Sequence, residues 1–392
     1  MRNVDAGSVL ALNSGSSSLK FGLYRVSDSA IQVIVSGEAE AIGNEQSKFW
    51  VRDANSKTLA SEEASILSHA DAMARVGKLF ARHKLSDPIA IGHRVVHGGA
   101  QLNRHCLIDA EVLQQLEAAT AFAPLHTPPA LNVIRQAQER FPRVAQVACF
   151  DTAFHAQLPD VARILPIPKE LRSAGVRRYG FHGLSCESVV HQLGGDVPDR
   201  MVIAHLGSGA SITALKAGQS IDTSMGMTPT GGVIMATRCG DLDPGVVIYL
   251  LREKQFDAAQ LEDLVDHRSG LLGISGISGD MRRLREAASP DARLAIEMFC
   301  YSVRKQIAAM SAALDGIDLL VFTGGIGEHD AEVRATICGG LSALGIKLDA
   351  VRNRSGENPI GATASRCQVR VVPAREDEQI AGHAWRITTD NA

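Results

Sequence analysis

The sequence predicts an α/β fold made of two duplicated halves, and two repeated patterns support this prediction. In the first pattern, a Gly/Ser loop separates two apolar strands, at residues 9–26 and again at 202–215. In the second, a short apolar strand leads to adjacent glycines, at residues 89–99 and 319–327. Because both patterns recur in the same order, duplication explains them better than chance does.

Local signals predict the individual elements. The first pattern predicts two hairpins, formed by residues 9–12 with 19–26 and by 202–204 with 212–215. Further buried strands are predicted at residues 89–92, 141–150, 319–322 and 368–372. A helix is predicted to start at Ser289 and Pro290 and to end at Gly316, with an apolar face of Val303, Ile307, Met310 and Leu314. A last helix is expected from about Glu376, and the halves should meet near residues 150–159.

Length and composition indicate a soluble intracellular protein. The 392 residues suit two domains, and 45% hydrophobic with 21% charged residues is ordinary for a globular chain. A net charge of −3 without blocks of like charge argues against nucleic-acid and membrane partners. Seven scattered cysteines and the lack of a long apolar run indicate reduced thiols and no membrane span, so we expect a cytoplasmic location.

Three glycine-rich segments are candidate phosphate-binding loops, because glycine lets backbone N–H groups approach an anion closely. Neither a Walker-type loop nor a dinucleotide fingerprint is present, so each segment alone is better explained by a tight turn. Three such segments in a duplicated layout favour a polyphosphate site. Their glycines are Gly15, Gly207, Gly209, Gly324, Gly325 and Gly327.

Charged side chains near predicted strand ends are the candidate catalytic groups. Arg94 and Arg238 lie where an arginine can clamp phosphate through two hydrogen bonds. Asp151 directly follows a predicted strand, and His126 and His182 lie in loops with proline or glycine. A lone histidine is more often a structural hydrogen-bonding group than a catalyst, and no HExxH zinc motif occurs.

These segments, in this order, resemble the acetate kinase family, and they span nearly the whole chain. The matching segments are NSGSSSLK at 13–20, GHRVVHGG at 92–99, APLH at 123–126, FDTAFH at 150–155, RYGFHG at 178–183, HLGSGAS at 205–211, DTSMG at 222–226, GLLGISG at 270–276, DMR at 280–282, FTGGIGE at 322–328 and VVPARE at 371–376.

The resemblance implies two duplicated RNase H-like, actin-like ATPase domains with a nucleotide cleft between them. Residues 1–150 would form the N-terminal domain, which the C-terminal helix at about 377–392 would complete. Residues 151–376 would form the C-terminal domain, with most of the nucleotide contacts. The resemblance also implies a homodimer.

The resemblance further implies roles for single residues. Mg²⁺, with Mn²⁺ as the alternative, would be held by Asn13 and Glu376. The catalytic residues would be Arg94, Asp151, His182 and Arg238. The carboxylate substrate would contact Arg94, Val96, Leu125, His126, Phe181 and Pro229. The nucleotide would contact Ser16, Ser18, Lys20, His205, Leu206, Gly207, Ser208, Gly209, Asp280, Met281, Arg282, Gly325, Ile326, Gly327, Glu328 and His329.

The chain departs from the family pattern at several positions, while every proposed charged residue is present. Asparagine is usual where Ser208 and Thr127 stand, and threonine and histidine where Leu184 and Cys186 stand. An aromatic residue is usual at Met227 and alanine at Gly324. We interpret these changes as affecting turnover or substrate range. Gly325 leaves room for an adenine, which favours ATP over pyrophosphate.

The resemblance implies the reaction ATP + acetate ⇌ ADP + acetyl phosphate by direct in-line transfer. A short carboxylate is ionised at neutral pH, so the nucleophile needs no general base, and Asp151 is better assigned to orienting the metal or an arginine. Propionate and butyrate remain alternative substrates, since one methylene discriminates only ~10–200-fold. The alternative from another class is a non-catalytic nucleotide-binding protein. That alternative predicts that some of the candidate catalytic and metal residues are replaced, but all five are present: Arg94, Asp151, His182, Arg238 and Glu376.

Overall fold

Two mixed β-sheets organise the chain, each in its own compact unit. The computed structural model describes residues 6–15, 17–123 and 126–390. The first unit extends to Ala156 and resumes at Arg375, and the second comprises Gln157–Ala374. The domains expected from the sequence ended at residues 150 and 376.

In the described part of the first unit, eight strands and three α-helices precede the C-terminal helix. The strands are β1 (Gly7–Ser14), β2 (Leu19–Ser27), β3 (Ala30–Glu40), β4 (Ser47–Asp53), β5 (Thr58–Ala64), β6 (Ala90–Val95), β7 (Cys106–Leu107) and β8 (Ala145–Phe150). The helices are α1 (His69–Arg82), α2 (Ala110–Ala118) and α3 (Thr127–Arg140). The strand order is β5-β4-β3-β2-β1-β6-β8-β7.

The second unit contains a smaller sheet surrounded by helices. Its helices are α4 (Asp160–Arg163), α5 (Lys169–Ser173), α6 (Gly183–Leu193), α7 (Pro244–Glu253), α8 (Ala258–His267), α9 (Gly270–Ser275), α10 (Met281–Ala287), α11 (Pro290–Ala313), α12 (Gly324–His329), α13 (Ala331–Gly339) and α14 (Ala350–Ser355). The strands are β9 (Arg200–Leu206), β10 (Ala210–Lys216), β11 (Gln219–Thr223), β12 (Leu319–Thr323) and β13 (Gln368–Val371). The order is β11-β10-β9-β12-β13.

The two sheets repeat one topology, which confirms the predicted α/β fold class and its duplication. In the first unit, β3, β2 and β1 pair antiparallel, and β6 and β8 continue the sheet in parallel. In the second, β11, β10 and β9 pair antiparallel, and β12 and β13 continue in parallel. The predicted hairpins are therefore β1–β2 and β9–β10.

The last helix, α15 (Glu376–Asp390), packs on the sheet of the first unit. Its Trp385 is fully buried, and Gly92 of β6 lets the helix approach, because a β-carbon at Gly92 would lie 2.6 Å from a methyl of Ile380. The opposite face of the sheet buries apolar side chains of β1, β2 and β6 against α1 and α3. The sheet is thus covered on both faces, as buried parallel strands require.

Several predicted bounds need correction. The strand expected at 141–150 begins only at Ala145, because α3 runs to Arg140. The glycine-rich segment after β12 was expected to be a loop, but its residues form α12. The helix start at Ser289 and Pro290 is confirmed, since the Ser289 hydroxyl accepts the N–H of Ala292. Among the described residues, no helix is both long and apolar enough to cross a membrane.

Candidate active site

Arg94 is the centre of a polar cluster in the first unit. It lies within β6, one residue before the strand ends, and not in the following loop as the sequence suggested. Its Nε and Nη2 donate to Oδ2 of Asp151 at 3.0 and 2.6 Å, and its Nη1 donates to Oδ1 of Asn13 at 3.2 Å. Both partners are buried. The carboxylate and the amide oxygen therefore fix the direction of the guanidinium.

Asn13 connects this arginine to the start of α15. Its Nδ2 donates to Oε2 of Glu376 at 3.2 Å and to Oδ1 of Asp377 at 3.0 Å. Lys20 lies opposite Asn13 in the β1–β2 register. The cluster therefore brings together five predicted site residues, and Asp377 joins them without having been predicted.

Charge in this cluster is concentrated at close range. Burial lowers the pKa of Arg94, but Asp151 and Glu376 raise it more, so the guanidinium stays charged. Burial raises the pKa of Asp377, the hydrogen bond from Asn13 lowers it, and Glu376 raises it again. A partly buried cation thus lies beside several carboxylates, and the guanidinium suits anions whereas the carboxylates suit a divalent metal.

The sheet explains why these residues meet. Asn13 is near the carboxyl end of β1, Arg94 is near that of β6, and Asp151 directly follows β8. Because β1, β6 and β8 are parallel neighbours, their carboxyl ends share one edge, which is where ligands bind in α/β sheets. Ser18 lies in the β1–β2 turn, where its carbonyl accepts the N–H of Gly15 at 2.8 Å. Ser16 lies outside the described residues.

A second cluster, in the second unit, centres on two stacked histidines. The rings of His182 and His205 lie 4.1 Å apart between centroids and 19° from parallel. Nδ1 of His182 is 3.0 Å from Oγ of Ser211, and Nδ1 of His205 is 2.8 Å from Oγ of Ser185. Each imidazole therefore has a serine hydroxyl on its Nδ1 side.

Arg238 reaches the same cluster from the long loop between β11 and α7. Its Nη1 donates to the carbonyl of Pro229 at 2.8 Å. A β-carbon on Gly209 would lie 3.2 Å from Nε2 of His182 and 3.5 Å from Nη2 of Arg238. The two nitrogens thus converge on the space that glycine leaves open at this position.

A cavity of about 510 Å³ lies in the same unit. Gly325 borders it, and a β-carbon there would meet no atom within 4 Å. The hydrogen bond from Arg282 lowers the pKa of Asp280 to about 2, so this carboxylate is ionised. The predicted nucleotide residues that line the cavity are Gly207, Ser208, Asp280, Met281, Arg282, Gly325, Ile326 and His329.

The other predicted nucleotide residues of this unit do not line the cavity. Leu206 is completely buried, and the carbonyl of Gly327 accepts a bond from the buried Arg334. Glu328 Oε1 accepts the N–H groups of Gly324 and Ala374 at 3.0 and 2.9 Å, and so it stabilises the start of α12. His205 and Gly209 belong to the histidine cluster instead.

The predicted substrate pocket is only partly described. Val96 and Phe181 are buried, and His126 precedes α3. Leu125 lies outside the described residues, and the role of all these residues stays a prediction. The serines beside the histidines had no role assigned from sequence, since their function depends on pairing between strands and helices. The sequence pointed to Ser211 only through its place in the family segment HLGSGAS.

A family model described as "Acetokinase family" matches residues 8–382. The chain belongs to the acetokinase family. The resemblance seen in the sequence is therefore confirmed, together with the class of enzyme, a phosphotransferase.

The acetokinase relatives extend over nearly the whole chain. An acetate kinase of Rhodopseudomonas palustris strain TIE-1 is 44% identical over 97% of this chain and 98% of its own. An acetate kinase of Methylocella silvestris is 41% identical, with 96% of each chain covered.

Solved acetokinase structures share the fold. A propionate kinase of Francisella tularensis has a TM-score of 0.90 at 36% identity, covering 97% of this chain and 100% of that one. The acetate kinase of Porphyromonas gingivalis has a TM-score of 0.86 at 34% identity, covering 98% and 100%. A kinase of the acetokinase family implies a divalent metal that accompanies the nucleotide.

Proposed function

We propose that this chain transfers a phosphoryl group reversibly from ATP to acetate, giving ADP and acetyl phosphate. The names of its relatives support acetate as the acceptor, and the relatives cover nearly the full chain at more than 40% identity. The proposal draws on residues of both units.

Arg94 is the observation that carries the proposal. A guanidinium stays charged at any physiological pH and binds carboxylate or phosphoryl oxygens in a fork. Here Asp151 and Asn13 hold it from two sides, at the sheet edge where ligands bind.

Charge neutralisation is the main task of the proposed mechanism. Acetate is already an anion, so Asp151 serves to orient Arg94 and removes no proton. Arg94 positions the acceptor carboxylate in line with the phosphoryl group. His182 and Arg238, whose nitrogens converge above Gly209, stabilise the charge that spreads over the phosphoryl oxygens. Transfer is direct, without a phosphoenzyme.

Mg²⁺ is the proposed metal, and Mn²⁺ is the alternative. The carboxylates of Glu376 and Asp377 both accept from Nδ2 of Asn13, so their oxygens lie close together, and carboxylate oxygens are ligands that Mg²⁺ prefers. Asn13 and Glu376 would hold the ion. When bound, it would neutralise charge on the nucleotide phosphates.

ATP is the proposed donor, and the second unit provides most of its contacts. The open space at Gly325, on the wall of the cavity, leaves room for a base, which a pyrophosphate donor would not need. Ser18 and Lys20 would line the phosphate path.

We further propose a cytoplasmic homodimer. None of the seven cysteines, all of which are described, forms a disulfide, and this supports a reducing compartment. Helix α7 buries no residue in this chain although its sequence is largely apolar, and this supports an interface with a second copy.

Trapping of acyl phosphate with hydroxylamine tests the function. Acetate with ATP should give product, whereas pyrophosphate should not. Arg94→Ala and Arg238→Ala should each lose at least about 100-fold in kcat. The controls are Arg135→Ala and Arg268→Ala, which remove arginines of exposed surface ion pairs and should change kcat less than about twofold. Full activity of Arg94→Ala or Arg238→Ala would refute the role proposed for that arginine in binding the reacting anions.

Propionate is the second candidate acceptor, because a propionate kinase shares the fold at a TM-score of 0.90. Comparing kcat/KM for acetate, propionate and butyrate decides between them. A higher value for propionate would identify a propionate kinase.

A further inference from the structure

His182 has an uncommon backbone conformation. Its φ of 58° and ψ of 28° fall in the left-handed region, directly before α6. A residue with a β-carbon adopts this region at a cost of about 1 kcal/mol or more, so the surrounding structure must hold it there. Such strain is typical of functional residues, and neighbouring groups must hold the residue in this conformation.

Ser211 is the polar group that holds the ring. Its side chain is completely buried in β10, and its Oγ lies 3.0 Å from Nδ1 of His182. Ser211 is the direct partner of His205 in the β9–β10 register, so the serine lies beside the ring on which His182 stacks. A hydrogen bond and a stacked ring therefore fix both the position and the plane of the imidazole.

We propose that Ser211 is a positioning residue that keeps the proton of neutral His182 on Nε2; this inference rests on the proposed function. The Ser211 hydroxyl donates to Nδ1, so Nδ1 carries the lone pair and Nε2 carries the hydrogen. The partner of one imidazole nitrogen decides the protonation of the other.

The position of the hydrogen matters because Nε2 faces the open space at Gly209, where Nη2 of Arg238 also points. An N–H at this place donates to a phosphoryl oxygen. In the other tautomer, a lone pair would face the same oxygen and repel it. Ser211 thus adds a second donor beside Arg238 by selecting the tautomer.

The neighbouring histidine is organised in the same way. Ser185, at the start of α6, lies 2.8 Å from Nδ1 of His205. Two imidazoles stacked at 4.1 Å, with Arg238 close by, disfavour a positive charge on either ring. This electrostatic setting supports neutral rings whose tautomer must be selected by a partner.

Ser211→Ala tests the proposal, with Ser211→Thr as the conservative variant. The control is Thr213→Val. Thr213 lies on the same strand and the same face as Ser211, and its buried hydroxyl is hydrogen-bonded to that of Thr223 on β11. We expect kcat of Ser211→Ala to fall about 10- to 100-fold, with the KM for ATP changed less than about twofold. Ser211→Thr should recover most of kcat, and Thr213→Val should resemble the parent.

A pH series separates tautomer selection from simple structural damage. Protonation puts a hydrogen on both nitrogens, so the defect of Ser211→Ala should shrink at a pH low enough to protonate His182, which the imidazole nitrogen NMR signals identify. His205 and Arg238 lie beside His182 in this unit, and His205→Asn in both backgrounds removes the first of these titratable or charged neighbours. A defect of equal size above and below the pH at which the ring is protonated, or no recovery with threonine, would overturn the proposal.

Nitrogen NMR of the imidazole gives a readout that needs no turnover. His182→Asn assigns the signals, and the parent should show Nε2 protonated, whereas Ser211→Ala should show a mixture of tautomers. A parent ring with its proton on Nδ1 would refute the inference. If the parent makes no acyl phosphate from any carboxylate, the proposed function fails, while the tautomer result still decides on Ser211.

Discussion

At the scale of single residues, Asp151 accepts two hydrogen bonds from Arg94, and we propose that it orients this arginine and transfers no proton. Asp151 is 1% exposed, so its loss leaves the partly buried Arg94 cation without its carboxylate. We predict that Asp151→Asn lowers kcat of acyl phosphate formation at least about 100-fold, because the guanidinium loses its fixed direction. Steady-state kinetics with acetate and ATP measures this change.

The chain offers a matched control for this prediction. Arg200 and Asp318 form a second forked pair, with bonds of 3.0 and 2.6 Å, away from both clusters. Both side chains are more than a third exposed, so Asp318→Asn should change stability by less than about 1 kcal/mol and leave kcat near that of the parent. Equal activity of the two variants would show that Arg94 needs no carboxylate partner.

Gly209 is a residue whose missing side chain matters. Alanine there would place a carbon 3.2 Å from Nε2 of His182, tighter than ordinary contact, in the space where the donors converge. We predict that Gly209→Ala lowers kcat about tenfold or more with little change in melting temperature. Gly195→Ala is the control, because its β-carbon would meet no atom within 4 Å. Activity of Gly209→Ala equal to that of this control would contradict the assignment.

Side chains that carry charge in a recognisable segment could be predicted from sequence, whereas their partners could not. Arg94 and Asp151 were both named, but their bond depends on β6 and β8 being parallel neighbours, a long-range fact. Asp377 and Ser211 were missed for the same reason. An unremarkable serine acquires meaning only when the strand register places it beside a histidine.

At the scale of elements, strands with a strong apolar run were predicted correctly, whereas strands with a weaker pattern were not predicted. The run at 9–12 is completely buried in β1, whereas β5 buries no residue and was not predicted. Helix α12 was missed because Gly324 and Gly325 are poor helix formers. The bond from Gly324 N–H to Glu328 stabilises this turn in spite of the composition.

A buried histidine within β6 predicts a pH-dependent stability. His93 donates from Nε2 to Oε1 of Gln146 at 2.7 Å, and burial lowers its pKa from 6.5 to about 4. The unfolded state binds the proton first, so stability is fully present above pH 6.5 and falls as the pH drops toward 4. The loss from this group is about 3 kcal/mol at pH 4.

Urea unfolding at several pH values checks this prediction. His93→Asn is less stable at neutral pH, but its free energy of unfolding should fall less steeply between pH 6.5 and 4 than that of the parent. The control is His267→Asn, at the exposed end of α8, which should keep the parental slope. Parallel slopes for all three proteins would mean that His93 does not titrate on unfolding.

At the scale of the whole molecule, the duplication explains where the candidate site residues lie in each unit. In the first unit, the polar cluster lies at the carboxyl ends of β1, β6 and β8. In the second, His205 lies near the carboxyl end of β9, and Gly324 and Gly325 follow that of β12. One topology therefore offers the same sheet edge twice, to the cluster around Arg94 in one unit and to His205, Gly324 and Gly325 in the other.

Helix α7 makes a prediction about assembly. Its apolar side chains are unusually exposed to solvent, with Ile248 49% and Tyr249 51% exposed. Helix α11 also carries an exposed apolar stripe, formed by Leu294, Met298 and Tyr301 at helical spacing. Patches of this kind on a folded chain indicate a protein interface. We predict that the parent is a dimer and that Ile248→Asp shifts it to a monomer, because a carboxylate at a dry interface loses its hydration.

Light scattering after size exclusion measures the mass of each variant, and circular dichroism verifies that Ile248→Asp remains folded. Val161→Asp is the matched control, since Val161 is an apolar residue that is 95% exposed on the short helix α4. It should leave the dimer intact. A stable interface of standard size buries about 1,200–2,000 Å² in total, so a single buried charge at its centre should raise the dissociation constant at least about 100-fold. A parent protein with the mass of one chain, or an Ile248→Asp variant with the mass of two, would remove α7 from the interface.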